Sequence, residues 1–352
     1  MRRDNPPTGA KLGRMIKRLP VTISPASSPA SRSPVRVWLL AIAALIFVMT
    51  MVGGATRLTE SGLSITQWKP ISGVIPPLND ADWQAEFGGY KQIPQFKLLR
   101  SDMDLAAFKS IFWWEWAHRL LARIIGTVFI IPAAWFWLRG ALKGAVGRWT
   151  LLATGFLALE PIVGWWMVAS GLSERVEVAP QRLAAHLLIA AATYGAALAG
   201  AASLSGRDGA RRSPGAALLA GLIYFQLGLG ALAAGLRAGL LDNTWPLMEG
   251  RWIPASIFPG AYPFAAMIAD PATAQFDHRL AAYAVVLLAS ALALVAKARG
   301  AVLVAALAWG QAALGVTTLL FDVPVPLGLA HQALALALFG AAIWHWRTSA
   351  AR

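Results

Sequence analysis

Eight long apolar segments are the feature that most constrains how this chain folds. Each has about the twenty residues that a helix needs to cross the hydrocarbon core of a bilayer. Helices satisfy their own backbone hydrogen bonds in lipid, so each segment is expected to be helical. The sequence therefore predicts an all-α integral membrane protein with eight transmembrane helices. The predicted spans are residues 36–56, 109–138, 149–170, 182–203, 215–236, 277–296, 301–320 and 327–346.

The composition agrees with a membrane location and restricts the chemistry. Of the 352 residues, 57% are hydrophobic and only 14% are charged, and the mean hydropathy is +0.56. A typical soluble domain has about 25% charged residues, so an ordinary soluble enzyme is excluded. The chain has no cysteine, which excludes disulfides, iron–sulfur clusters and thiolate metal sites. Any metal or cofactor must be held by His, Met, Asp or Glu.

The basic residues lie in short stretches between the apolar segments, and the net charge is +14. Nucleic-acid binding is one interpretation of such a charge, but the distribution follows the positive-inside rule of membrane proteins. We therefore expect a lipid bilayer and no nucleic acid as a partner. The same rule predicts that both termini face the cytoplasm and that the two long loops, about 57–108 and 237–276, face outward.

The N-terminal segment 1–35 is rich in Pro, Ser and Arg, which predicts a disordered cytoplasmic tail. It has no apolar stretch followed by a small-residue cleavage site, so it does not have the pattern of a secretory signal. The predicted location is the bacterial inner membrane. The mitochondrial inner membrane, with residues 1–35 as a transit peptide, is the less favoured alternative.

The chain repeats itself as four helices followed by four helices. The motif His118-Arg119-Leu120 opens the second span, and His278-Arg279-Leu280 opens the sixth. Related pairs follow in the same order, including Glu160…Gly164 with Gln311…Gly315. Both halves begin on the same side of the membrane, so the repeat is parallel. We expect two four-helix bundles, in residues 36–205 and 206–352.

Four of the five histidines lie one each on the even-numbered spans, near the outer end. They are His118, His186, His278 and His331. Each half therefore offers two imidazoles at similar depth on two helices of a bundle, which is the arrangement that bis-histidine ligation of haem iron requires. Bare copper or zinc is the rival hypothesis, and it fits less well because those metals favour closely spaced ligands. The fifth histidine, His345, belongs to an aromatic belt at the membrane interface.

Glu115 is expected on the same helix face as His118, because the two are three residues apart. A carboxylate within a span costs about 2.5–3.5 kcal/mol on insertion scales, which makes Glu115 a candidate proton carrier. The alternative is a simple ion pair with Arg119 or Arg123. The repeat partner of Glu115 is Gln275, which does not titrate, so we expect chemistry in the N-terminal half and binding or relay in the C-terminal half.

Four arginines are expected to form a rim at the depth of the histidines, and this rim is a candidate site for the anionic propionates of haem. They are Arg57, Arg119, Arg237 and Arg279. The alternative is that they extend to lipid headgroups. Glu160-Pro161 lies within the third span, where the proline predicts a kink, and the sequence assigns no role to Glu160.

Several long motifs resemble the haem A synthase family, in its proteobacterial and mitochondrial form. The resemblance covers about residues 36–346. The matching segments are Thr56–Ser64, Trp68–Pro70, Phe108–Arg119, Gly164–Leu172, Gly235–Gly239, Asn243–Met248, Gln275–Arg279 and His331-Gln332.

The resemblance implies a membrane oxidoreductase that converts haem O to haem A by oxidising one porphyrin methyl to a formyl group. It implies that His118 and His186 flank the substrate haem, that Glu115 lies beside it, and that His278 and His331 ligate a resident haem b. The implied partners are the farnesyltransferase that makes haem O and an electron acceptor of unknown identity. A second copy of the chain, in a homo-oligomer, is a further predicted partner.

The chain departs from the family pattern at Glu160-Pro161, where Gln-Gly is expected. The residues alone fit a second function equally well, namely a di-haem b-type cytochrome that exchanges electrons with quinone. The difference between Glu115 and Gln275 favours one substrate site and one permanent site over two permanent haems. A transporter is disfavoured because the polar groups gather at the outer end rather than at the midplane. An assembly factor that only holds haem is a further alternative.

Overall fold

The computed structural model describes Met1 and residues 29–205, 213–257 and 263–349. The predicted disorder of the tail 1–35 lies mostly outside these residues. The described part of the chain contains helices and no strand, in agreement with the predicted all-α class. The helices are α1 (Pro29–Leu58), α2 (Asp80–Tyr90), α3 (Pro94–Leu99), α4 (Leu105–Leu138), α5 (Gly144–Ser173), α6 (Pro180–Ser203), α7 (Pro214–Gly235), α8 (Pro263–Ala269), α9 (Pro271–Ala296), α10 (Arg299–Leu320) and α11 (Val325–Thr348).

In this described part, eight helices are long and apolar enough to cross a membrane: α1, α4, α5, α6, α7, α9, α10 and α11. They coincide with the eight predicted spans. Side chains at the N-cap position fix where three of these helices begin. Asp104, Ser213 and Asp270 each accept a hydrogen bond from a backbone amide of the first turn. Prolines in the first turn of α6, α7, α9 and α11 act in the same direction.

Helix α4 is longer than predicted, and this changes the position of His118. The helix has 34 residues and is therefore about 51 Å long, well beyond the roughly 30 Å of a hydrocarbon core. Its N-terminal turns extend into the long connection between α1 and α4, so His118 lies more than three turns into α4. The expectation that all four histidines occupy the first turns of their helices holds for His186, His278 and His331 and is wrong for His118.

The long connection between α1 and α4 is a folded cap. A separate cluster of buried side chains joins it to the outer ends of α4 and α5, with Tyr90 and Phe108 fully buried at its centre. Trp83 packs edge-on against Phe112 of α4. The aromatic residues of this segment therefore form a small core of their own above the membrane-spanning helices.

The eight spanning helices pack in two sets of four. In the first set, α6 packs against α1 and α5, and α1 against α4. In the second set, α7 packs against α9, α9 against α10, α10 against α11, and α11 against α7. The sets meet where α6 contacts α7 and α11 and where α1 contacts α11. One contact differs between them, since α4 and α5 barely touch whereas α9 and α10 pack closely.

Candidate haem-binding site

Each of the four predicted histidines lies against a glycine of a neighbouring spanning helix. A methyl group added at any of these glycines would be 2.8–3.1 Å from an atom of the imidazole ring, which is closer than ordinary packing allows. The absence of a side chain at these positions therefore makes room for the rings. The pairs are Gly53 with His118, Gly164 with His186, Gly230 with His278 and Gly315 with His331.

Three of these histidines also have a polar partner four residues before the glycine, and therefore about one turn away on the same helix. Gln226 Nε2 lies 3.0 Å from His278 Nδ1, and Gln311 Nε2 lies 3.1 Å from His331 Nδ1. Each amide also donates to the main-chain oxygen of its histidine. The corresponding partner of His186 is the carboxylate of Glu160, at 2.6 Å from Nδ1.

The C-terminal pair of histidines has the spacing that one iron requires. The ring centres of His278 and His331 are 6.4 Å apart and the rings are inclined by 79°. A bond from imidazole nitrogen to metal is about 2 Å long, so two rings on opposite sides of one iron have their centres about 6 Å apart. Among the described residues, no group of three or more His, Asp and Glu side chains is placed to hold a bare metal ion.

Unpaired buried atoms around these rings fit a ligated imidazole. An imidazole that binds iron through Nε2 carries its proton on Nδ1 and donates it to a neighbouring acceptor. Gln226 Oε1 and Gln311 Oε1 are buried and have no hydrogen-bond partner. In this structure Nε2 of each amide faces Nδ1, and a half-turn of the amide group would bring Oε1 to the ring as the acceptor. The residues present therefore fit a haem held by His278 and His331.

The N-terminal pair is arranged differently. His118 turns its Nε2 edge toward Gly53, whereas the other three rings present Cε1 to their glycines. The residue four before Gly53 is Met49, which is not a strong hydrogen-bonding partner. His118 therefore lacks the polar support that the other three histidines have from the helix that carries their glycine.

Glu115 is almost fully buried, and its hydrogen bonds go to Arg119 and to the outer cap. Arg119 donates to Oε1 through Nε and Nη2, while Ser64 Oγ and the backbone amide of Ile65 donate to Oε2, both at 2.8 Å. This is the ion pair with Arg119 that the sequence offered as the alternative. Glu115 thus ties the cap to α4 one turn before His118, and a role in proton transfer stays a prediction.

Gln275 and Arg279 repeat this arrangement in the second set of helices. Both donate to the main-chain oxygen of Asp242, and Arg279 also donates to the main-chain oxygen of Leu247. Arg119 similarly donates to the main-chain oxygens of Ile65 and Gln67. Both arginines therefore hold an outer connection near the histidine that precedes them in sequence.

Arg57 and Arg237 belong to an ion-pair cluster at the same end of the helices as the folded cap. Arg57 contacts Glu177 at 2.8 Å, and Arg237 contacts both Glu177 and Glu60. Arg100 also contacts Glu60, at 2.8 Å, and this hydrogen bond lowers the pKa of Glu60, while burial of the carboxyl opposes it. The hydrogen bond that Arg237 donates to Glu177 raises the pKa of Arg237. The cluster joins the connections that follow α1, α5 and α7.

Two buried guanidinium nitrogens of the predicted rim have no partner. They are Arg57 Nε and Arg279 Nε. The four predicted arginines thus have mainly protein partners, and only these two nitrogens are buried and unpaired within the described rim. They are the positions from which an anionic group of a ligand can accept a hydrogen bond.

Sequence reasoning missed the glycine beside each histidine and the roles of Gln226, Gln311 and Glu160. A signal was available, because a Glu or Gln followed four positions later by glycine occurs once in each of the third, fifth and seventh spans. The acidic partners Glu60 and Glu177 had no comparable signal. They lie 177 and 120 residues from the arginines that they contact, Arg237 and Arg57 respectively.

The fold and the site define a multi-pass membrane protein with two pairs of histidines held between spanning helices. The chain matches the model of the cytochrome oxidase assembly protein family over residues 36–343, and it belongs to that family. It is 46% identical to "Heme A synthase" of Chelativorans sp. (strain BNC1), over 95% of this chain and 97% of that protein. It is 51% identical to "Heme A synthase" of Rhodopseudomonas palustris (strain BisA53), over 86% of this chain and 87% of that protein.

Proposed function

We propose that this chain is a membrane oxidoreductase that converts haem O to haem A for terminal oxidases. The observation that carries the proposal is the pair His278 and His331, whose ring spacing suits one iron, in a chain whose relatives over most of its length are named Heme A synthase. Bound haem supplies the iron chemistry that oxidises a porphyrin methyl to a formyl group.

The C-terminal half, residues 206–352, holds the resident haem b in this proposal. His278 and His331 ligate its iron, and Gln226 and Gln311 hold the two rings in place. The close packing of α9 against α10 supports a permanent site, because it closes this set of helices toward the lipid. Arg279 Nε is available to a propionate.

The N-terminal half, residues 36–205, receives haem O. His118 and His186 flank the substrate, and Arg57 Nε is the free donor for a propionate. The scarce contact between α4 and α5 supports this assignment, since it leaves the first set of helices open toward the bilayer. An apolar substrate delivered by a membrane-bound farnesyltransferase can enter there without crossing water.

Glu115 and Arg119 are the acid–base pair closest in sequence to His118 in this half. Glu115 is shielded by the outer cap, and Arg119 keeps its carboxylate charge balanced. In this proposal Glu115 takes up a proton released from the substrate as it is oxidised and passes that proton to water, and the ion pair with Arg119 re-forms once the carboxylate is ionised again. The electron acceptor in this proposal is a separate partner. The chain is also predicted to form a homo-oligomer.

The proposed location is the bacterial inner membrane with both termini in the cytoplasm. The eight spanning helices and the bacterial relatives support a multi-pass membrane protein. An even number of spans returns the chain to the side on which it began. The folded cap and the cluster of Arg57, Glu60 and Glu177 then lie on the outer side of the membrane.

The test is to produce the chain in a host that makes haem O but not haem A, and to identify the haems bound to the purified protein by extraction and mass. We expect haem B together with haem O, its alcohol derivative or haem A. Haem B alone at two per chain would instead indicate an electron-carrying cytochrome. A folded preparation without haem would contradict both assignments.

Gly315→Ala is expected to weaken binding of the resident haem. The new methyl group would lie 2.8 Å from His331 Cε1 and force the ring to move. Disturbing the residues that position a metal ligand typically costs about 10–100-fold in affinity. Haem content and the absorption spectrum of the purified variant measure the effect.

Gly221→Ala is the matched control, because no atom lies within 4 Å of the added methyl group. It should leave the haem content unchanged. Equal haem retention by the two variants would show that the contact between Gly315 and His331 is not needed for the site.

A further inference from the structure

Glu160 is the ionisable member of the three polar partners of the histidines. Its Oε2 lies 2.6 Å from His186 Nδ1, although the two atoms are not aligned for a hydrogen bond, and both His186 Nδ1 and Glu160 Oε1 are buried without such a partner. The side chain of Glu160 is 16% exposed. Among the described residues, His186 is the basic side chain whose nitrogen lies within 4.0 Å of this carboxylate.

The position of Glu160 is equivalent to that of two neutral amides. Gln226 and Gln311 also precede their glycine by four residues, and each contacts the Nδ1 atom of its histidine. The same geometry therefore occurs three times, twice with an amide and once with a carboxylate. A carboxylate within a membrane span costs about 2.5–3.5 kcal/mol on insertion scales. A neutral amide of the same size costs less.

We propose that Glu160 is a positioning residue that gives His186 a more electron-rich imidazole than His278 or His331. The inference rests on the proposed function, in which His186 faces the substrate haem. The Glu160 carboxylate lies 2.6 Å from Nδ1, and a small turn of this side chain would let it accept a hydrogen bond from a protonated Nδ1 and leave Nε2 for the iron. Acceptors of this kind raise the basicity of a ligating histidine, and a carboxylate does so more than an amide.

The consequence is a difference between the two haem sites. A more basic ligand stabilises ferric iron relative to ferrous iron, because the higher charge on the metal gains more from the added electron density. The N-terminal site is therefore biased toward the ferric state by Glu160, and the C-terminal site lacks this bias. Pro161, directly after Glu160, has no backbone N–H, so it does not donate a hydrogen bond to the preceding turn.

The test exchanges the two side-chain types between the sites. Haem B is added to the purified full-length chain until both sites are filled, and the N-terminal signal is assigned as the one that His186→Ala removes. For Glu160→Gln we expect the ratio of ferric to ferrous binding constants at that site to fall about tenfold. This corresponds to a midpoint potential about 59 mV higher, measured by spectroelectrochemical titration.

Gln311→Glu is the reciprocal variant. It should lower the midpoint potential of the C-terminal haem and leave the midpoint potential of the N-terminal haem unchanged. Unchanged potentials in both variants, with both haems bound, would overturn the role of Glu160. If Glu160→Gln does not accumulate in the membrane, Gln311→Glu alone decides in the same way. Absence of haem from the unsubstituted chain would instead overturn the proposed function.

Discussion

The largest expected effect is loss of the resident haem when His331 is replaced by alanine. His331 and His278 are the pair whose ring spacing suits one iron, so the change removes one of the two iron ligands and leaves Gln311 without the ring that it contacts. We expect haem affinity at this site to fall at least about 100-fold, beyond the 10–100-fold typical of changes to supporting residues. The haem-to-protein ratio and the absorption spectrum of the ferrous protein measure this loss of affinity. His278→Ala should have the same effect.

His345→Ala is the matched control for this experiment. His345 is the histidine of α11 at the opposite end of the helix, where its ring packs against Gly300. It should retain both haems. A bis-histidine spectrum at the C-terminal site that survives both His331→Ala and His278→Ala would contradict the assignment.

The second large effect is loss of product formation in Glu115→Gln. Glutamine has nearly the same shape but does not exchange a proton, and general acid–base groups contribute about 10²–10⁴-fold to rate. We expect both haems to remain bound and the yield of haem A from haem O to fall at least about 100-fold. Extraction of haems after a fixed time, with the alcohol derivative quantified separately, measures the loss.

Glu86→Gln provides the control, because Glu86 pairs with Lys69 in the same outer cap at 2.7 Å. If Glu115 serves only to anchor the cap, the two variants should lower the yield to a similar extent. A normal yield in Glu115→Gln would remove Glu115 from the chemistry.

For the arginine rim, the sequence predicted which arginines lie near the histidines but not which groups they contact. Arg57 and Arg237 lie at the end of α1 and just after α7, whereas Arg119 and Arg279 lie further along α4 and α9. Their partners are mainly carboxylates and main-chain oxygens of the outer connections, among them Glu177, Glu60 and the carbonyl of Asp242. Those connections have no regular hydrophobic periodicity from which their conformation could be predicted. The partners of the arginines were therefore not predictable from the sequence.

The sequence by itself determined the eight spans, their helical nature and the four histidines, because lipid offers no hydrogen bonds and therefore leaves an apolar segment of twenty residues one conformation to adopt. Only the tertiary structure decided which atoms surround each imidazole. The contacts of Gly315 with His331 and of Glu160 with His186 depend on the rotation and depth of one helix against the next. Packing between small residues sets the rotation and the depth of each helix, and a hydropathy pattern carries no information about either.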